Sequence, residues 1–178
     1  YAKQQTKIKV VLVRYGNVLG SRGSIIETLI RSKQKEYFLT DPEMTRFWIT
    51  IEEAIDLTRY AIVNGIRDET FIPKMKSLKM SSVFDYLVPD SNISIVGRRP
   101  GEKIHESMIS ECDMLNTYDL GEVYCILKSK KHKEIIEKNK KSKLTKMKTY
   151  TSETSEKMSK DEFISKVKNS MINDLIND

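Results

Sequence analysis

The chain has 178 residues, 39% hydrophobic and 31% charged, with a formal net charge of +6. That length suffices for one domain with a sizeable core, or one domain plus a tail. No apolar run approaches the roughly 20 residues of a membrane span, no secretory signal pattern opens the chain, and Cys112 and Cys125 have neither metal-ligand spacing nor the density of a disulfide framework. A reducing, cytoplasmic setting is the default that follows. The first residue is Tyr1 rather than Met, as expected of a piece of a longer polypeptide.

Ile8 to Val13 is a near-continuous β-branched run, the pattern of a strand buried in a parallel sheet. Gly16, Gly20 and Gly23 punctuate the loop after it, and Ser24 caps a helix through about Ser32. Asp41-Pro42 marks a turn. The stretch Thr40 to Thr50 then puts a lone arginine, Arg46, and Trp48 ahead of an apolar strand-like run and a helix start, with Arg46 on the way into a buried element. A guanidinium there needs a carboxylate or an anionic ligand, because leaving it buried and unpaired is costly. Thr50 and Glu53 have capping-box spacing and open an amphipathic helix that stops at Gly65.

Thr70 to Pro73 reads as a strand, Ser81 to Val88 as a helix and Ile93 to Val96 as a third strand. Pro100 suits the first turn of a helix through Ile109, which would carry His105. Val123 to Leu127 is a short strand. Lysines crowd residues 128–148, where Glu134 and Glu137 are the only acids and no Phe, Tyr or Trp interleaves them. That argues for a solvated linker rather than a base-stacking surface, and nucleic acid is not an expected partner. Ser159 and Glu162 open a terminal helix. Alternating strands and helices place the chain in the α/β class.

No Gly-x-Gly-x-x-Gly, phosphate-binding P-loop or zinc motif is present. A Tyr-x-x-x-Lys occurs at Tyr124 to Lys128, but in a strand context, where a four-residue offset does not put both side chains on one helical face. What remains is a set of arginines at turns and element ends: Arg14, Arg22, Arg46 and Arg99. Their planar donor forks suit phosphate. Asn17, Arg46 and Arg99-Pro100-Gly101-Glu102 together have the makings of a split site for a nucleotide diphosphate, with Glu102 accepting from ribose hydroxyls.

Four blocks resemble one family: R-Y-G-N-V-L-G-S-R-G-S (Arg14 to Ser24), T-D-P-E-M-T-R-F-W-I-T (Thr40 to Thr50), F-I-P-K-M-K-S-L-K-M (Phe71 to Met80) and G-R-R-P-G-E-K-I-H-E-S-M-I-S (Gly97 to Ser110). The family is that of the UDP-N-acetylglucosamine 4,6-dehydratases, the inverting and CapD-like branch of the extended short-chain dehydrogenase/reductase superfamily. Asn116 to Ile126 and Tyr150 to Phe163 are similar to its tail. Arg98 stands where that family has an apolar residue, and Glu27 where proline is expected.

The resemblance implies the C-terminal half of such an enzyme: the last part of a nicotinamide-binding Rossmann sheet with a small substrate-binding α/β subdomain. Residues 1–127 would form that part, 128–149 a lysine-rich linker or loop, and 150–178 a tail and helix. Tyr15 and Gly16 would lie by the nicotinamide of NADP (or NAD), a cofactor held mainly by upstream sequence that also supplies the catalytic tyrosine and lysine. Asn17 would contact the sugar diphosphate, Arg46 and Arg99 the phosphates, Glu102 the uridine ribose, and Arg22 the substrate's vicinity. No catalytic residue and no metal ligand is implied in this chain. The implied reaction oxidises a UDP-N-acetylhexosamine at C4, removes the C5 proton, expels water from C6 and returns the hydride to C6. The resemblance also implies a homo-oligomer at full length. The competing reading is a non-catalytic UDP-sugar-binding remnant, or an interaction module acting through the lysine-rich segment.

Overall fold

A computed structural model describes residues 9–32, 34–66, 68–127, 134, 142–143 and 147–175. Most of the lysine-rich segment therefore lies outside the described residues, as do Ile8 and Lys128. The fold is mixed α/β, the class expected from the pattern of elements. The chain forms two compact units: Tyr1–Tyr15, Glu52–Lys74 and Ser107–Tyr150 make the first, and Gly16–Ile51, Met75–Glu106 and Thr151–Asp178 the second.

In the first unit, β1 (Leu12–Val13) pairs in parallel with β5 (Glu69–Pro73), in the register Val13↔Phe71. Antiparallel neighbours follow: β10 (Val123–Leu127), then β9 (Thr117–Asp119), then β11 (Ser142–Lys143). Every residue of β10 is buried. It lies between β5 and β9 with Cys125 opposite Phe71 on one side and Tyr118 on the other, which is why its sequence is an unbroken apolar run. β1 is the sheet's terminal strand, and Leu12 is correspondingly exposed. The helix α2 (Ile51–Asn64) starts directly after Thr50 and closes where the Gly65 N–H bonds the Ala61 carbonyl. Its Leu57 and Ala61 pack with Phe71, Tyr118, Val123 and Cys125. Burial pushes the Cys125 thiol pKa up, so it behaves as an inert core residue. β8 (Ser107–Ile109) and β12 (Tyr150–Thr151) pair as a two-stranded ribbon. The short α4 (Glu111–Met114) follows β8, with Ser110 as its cap.

In the second unit, β2 (Asn17–Val18) runs parallel to β4 (Thr45–Ile49), which pairs antiparallel with β6 (Ser77–Lys79). A parallel pair, β3 (Glu36–Leu39) with β7 (Asn92–Ile95), makes a second small sheet. The helix α1 (Ile25–Arg31) is capped as expected, the Ser24 hydroxyl accepting from the Glu27 N–H. The helix α3 (Met80–Leu87) and α5 (Lys160–Leu175) complete the unit, and at α5 the Ser159 hydroxyl accepts from the Glu162 N–H. Ile26, Leu29, Trp48, Val83, Phe84, Phe163 and Val167 share one core. No described helix is long and apolar enough to cross a membrane.

One expected element is absent. Residues 100–109 are not helical: 97–106 form an irregular loop and 107–109 the strand β8. The turn begins as a helix would, with the Glu102 carboxylate accepting from the Arg99 N–H and the Glu102 N–H bonding the Arg99 carbonyl. Gly101 at φ +81° then turns the chain into the left-handed region, and the backbone that follows is captured by β4. His105 is accordingly a loop residue, not one on a helix.

Candidate functional site

β4 is the base on which the candidate site is built. Thr45, Phe47, Trp48 and Ile49 are buried, and only Arg46 among its five residues reaches partly to solvent. Gly16 packs directly on Phe47: a Cβ there would overlap both the Phe47 side chain and its carbonyl. The approach of the chain leading into β2 to β4 by itself requires glycine here.

The Arg46 guanidinium is not an unpaired charge. Nη1 donates to the carbonyls of Thr45 at 2.8 Å and Ile104 at 3.0 Å. Nη2 donates to the Lys103 carbonyl at 3.1 Å and to Met44 Sδ at 3.3 Å, while Nε faces the Glu106 carboxylate at 3.8 Å. Each nitrogen of the fork has a partner, and three of these partners belong to the 97–106 loop. Arginine's rigid five-donor geometry is here a clamp on a backbone.

The loop's far end is held by a second set of contacts. Glu106 accepts the Phe47 N–H at 3.0 Å. Its backbone N–H donates to Ser152 Oγ at 2.8 Å, and its carbonyl accepts the Ser152 N–H at 2.8 Å. Thr45 Oγ1 lies 2.6 Å from Ser152 Oγ and 2.8 Å from His105 Nδ1. Burial raises the Glu106 carboxyl pKa, opposed by the Phe47 N–H and by Arg46. A raised value means the folded state holds its proton more tightly than the unfolded chain, so from pH 4.5 upward this group subtracts stability as it ionises. Glu106→Gln lacks that dependence. The stability of the native protein relative to Glu106→Gln is therefore expected to fall as the pH rises above 4.5 in urea titrations; a difference that grows with pH would contradict it.

Arg99 and Glu102 share the loop's outer turn. The Arg99 side chain is exposed, with no partner among the described residues, whereas Arg98 pairs with Asp41 at 3.4 Å. The two positions that depart from the family pattern thus both have structural partners, since Glu27 receives the Gly23 N–H and pairs with Arg31 at 3.3 Å. Asn17 lies opposite Trp48 in register, two residues from Arg46 along the neighbouring strand. Arg22 is exposed on the loop before α1 and is not joined to Arg46 or Arg99 by any described contact. Tyr15 belongs to the first unit, as does Arg14, whose Nη1 donates to the Met108 carbonyl at 2.5 Å.

Within one unit, then, Gly16, Asn17 and Arg46 come together on adjacent strands, and Arg46 ties in the turn that bears Arg99 and Glu102. Thr45, Glu106 and Ser152 hold this arrangement and were not singled out by their sequence. Glu106 and His105 lay in a quoted block but read as helical. Ser152 lay in T-S-E-T-S-E, where nothing in the local pattern separates one hydroxyl from the next. No group of three metal-ligating side chains occurs among the described residues. Tyr124 is on strand β10, in agreement with setting aside the Tyr-x-x-x-Lys match.

Comparison with known proteins follows this geometry. The model of a family described as "Polysaccharide biosynthesis protein" matches residues 1–128. The chain belongs to that family. Its relatives include a UDP-N-acetylglucosamine 4,6-dehydratase (inverting) from Campylobacter jejuni serotype O:23/36, 41% identical over 128 residues, which are 69% of this chain and 37% of that protein. The UDP-glucose 4-epimerase of Rickettsia canadensis is 36% identical over 121 residues, 65% of this chain and 36% of the epimerase. Among solved structures, Pen from Bacillus thuringiensis superposes with a TM-score of 0.80 at 26% identity, covering 96% of this chain and 53% of that one. The resemblance read from the sequence blocks and its α/β fold are thereby established. The chain spans just over a third of the length of the curated relatives it matches, 37% for the dehydratase. The dehydratase and the epimerase are named for reactions on nucleotide sugars.

Proposed function

We propose that this chain is the UDP-sugar-binding half of a nucleotide-sugar 4,6-dehydratase that converts UDP-N-acetylglucosamine to a UDP-4-keto-6-deoxy-hexosamine for glycan biosynthesis. The observation that carries this reading is the division of labour among the arginines. Arg46 and Arg98 are engaged in holding the loop and the Asp41 turn, and Arg99 is left exposed with its fork unpaired. Such a group, next to a carboxylate fixed by the same turn, suits a diphosphate with a ribose beside it. The names of the dehydratase relatives support the substrate class.

In this reading Arg99 meets the phosphates, Asn17 the sugar diphosphate and Glu102 the ribose, with Arg22 in the substrate's vicinity. Arg46 acts mainly by fixing the turn on which Arg99 stands, and approaches the phosphates only if its present partners exchange. Binding energy from the UDP portion then holds the hexose for the chemistry, which is how remote contacts contribute to such a reaction. NADP (or NAD) would supply the hydride acceptor. We assign the cofactor mainly to sequence outside this chain, with Tyr15 and Gly16 at its edge. The catalytic tyrosine and lysine are assigned there too.

The reading is tested by calorimetric titration of UDP-N-acetylglucosamine into the protein. Arg99→Ala is expected to weaken binding about 10- to 100-fold, equivalent to one or two charge-assisted hydrogen bonds of about 1.5–3 kcal/mol. The thermal midpoint should be unchanged, because the side chain is exposed and unpaired. Equal affinity in Arg99→Ala, or no binding by the native chain, would refute it. Capture of polyanions by the lysine-rich segment alone, with a steep salt dependence, would favour an interaction module instead.

A further inference from the structure

The family model ends its match at residue 128, yet Ser152, in the Tyr150 to Phe163 block, is wired into the site. Ser152 is completely buried. Its hydroxyl donates to the Thr45 carbonyl at 3.0 Å, accepts the Glu106 N–H at 2.8 Å, and lies 2.6 Å from Thr45 Oγ1. A hydroxyl has one donor and two acceptor positions, so all three are in use. Thr45 Oγ1 lies within hydrogen-bond distance of both Ser152 Oγ and His105 Nδ1, so the three side chains form one bonded line.

The Ser152 backbone is equally engaged. Its N–H bonds the Glu106 carbonyl, and its own carbonyl accepts Ser77 Oγ at 2.5 Å and Lys157 Nζ at 2.6 Å. Lys157 also donates to Ser77 Oγ at 2.9 Å and to the Glu153 carbonyl at 2.6 Å, tying the 152–157 segment to β6. Both backbone groups of Glu106, where the 97–106 loop ends, are therefore taken by a single residue from near the C-terminus. Arg46 grips the same loop at residues 103 and 104.

We propose that Ser152 is a positioning residue: it fixes the end of the 97–106 loop against β4 and so holds Arg99 in place to meet a nucleoside diphosphate. The last clause rests on the function proposed above; the restraint on the loop does not. A residue that only filled the core would, when replaced, lower stability throughout the unit. A positioning residue frees the loop selectively.

The test combines amide hydrogen exchange with UDP titration of the full chain, comparing the native protein with Ser152→Ala. The expected result is exchange at least tenfold faster at residues 101–106, unchanged exchange in α1 of the same unit, and UDP affinity lower by about tenfold. Unchanged exchange in the loop, or a uniform rise across the unit, overturns the proposal. Should Ser152→Ala fail to fold, Lys157→Met, which removes the donor to the Ser152 carbonyl from a less buried position, is expected to give the same pattern at about threefold; no selective change there overturns it equally. If the loop is freed but UDP affinity is unaltered, the positioning role is overturned while UDP binding stands. If the loop is freed and the native chain binds no UDP, the proposed function fails and the restraint on the loop alone is upheld.

Discussion

Arg46→Met is expected to destabilise the protein by about 3–4 kcal/mol and to release the 97–106 loop. Methionine roughly preserves the length of the side chain and removes all of its donors. The carbonyls of Lys103 and Ile104 lose their partners, and Glu106 is left facing an apolar group. Removing one member of a fully buried pair costs about 3–5 kcal/mol, because the other charge remains; Arg46 and Glu106 are partly buried, their side chains 14% and 25% exposed. Here water can reach the Lys103 carbonyl, which places the expectation at the lower end. Arg46→Lys keeps the charge but offers a single compact ammonium in place of a planar fork, and should recover less than half of the loss. Urea unfolding of the three proteins measures this directly. A loss below about 0.5 kcal/mol, the range of ordinary surface substitutions, would show that the clamp contributes little.

Trp48→Ala is expected to cost about 3–5 kcal/mol, the range for emptying a large aromatic site in a packed core. Trp48 is 2% exposed and meets Phe163 edge-on, with ring centroids 5.9 Å apart. Its Nε1 has no hydrogen-bond partner among the described residues. An indole N–H buried without an acceptor costs about 1–3 kcal/mol in its own right. That lets two effects be separated. Trp48→Phe removes the orphan donor and opens a smaller gap, so the two terms oppose and the net loss should stay below about 2 kcal/mol. If Trp48→Phe proved as damaging as Trp48→Ala, the N–H would have to be bonded in solution. Because β4 carries both Trp48 and Arg46, the alanine variant should also weaken ligand binding without removing any contact to the ligand.

The sequence was informative wherever a local rule had no competitor. The caps at Ser24 and Ser159, the turn at Asp41-Pro42 and the stop at Gly65 depend on neighbours a few residues away, and each is found. It misled at Pro100 to Ile109, where a proline suited to a first turn favours a helix. There Gly101 breaks the turn, and β4 offers the loop's backbone better partners than a helix could. β3 and β6 carry no local signal, because their short segments are defined by pairing across long sequence distances, as Phe38 with Ser94 and Thr45 with Lys79.

The candidate site shows the same division. Arg46 and Arg99 stand out as residues because arginines at turns and strand ends need partners. Which one is a clamp and which is free is decided by carbonyls some 57 residues away and by a serine 107 residues from Thr45. The family resemblance named both arginines without distinguishing them, since residue-by-residue likeness does not report which donors a fold has already used.

The claim that joins these parts is that the 97–106 loop, held on β4, is where a nucleoside diphosphate binds. Amide hydrogen exchange of the native protein with and without saturating UDP tests it most directly. Protection concentrated in residues 101–106, and absent in Arg99→Ala under the same conditions, is the expected result. Protection confined to other segments, or none at any concentration of UDP, would contradict it.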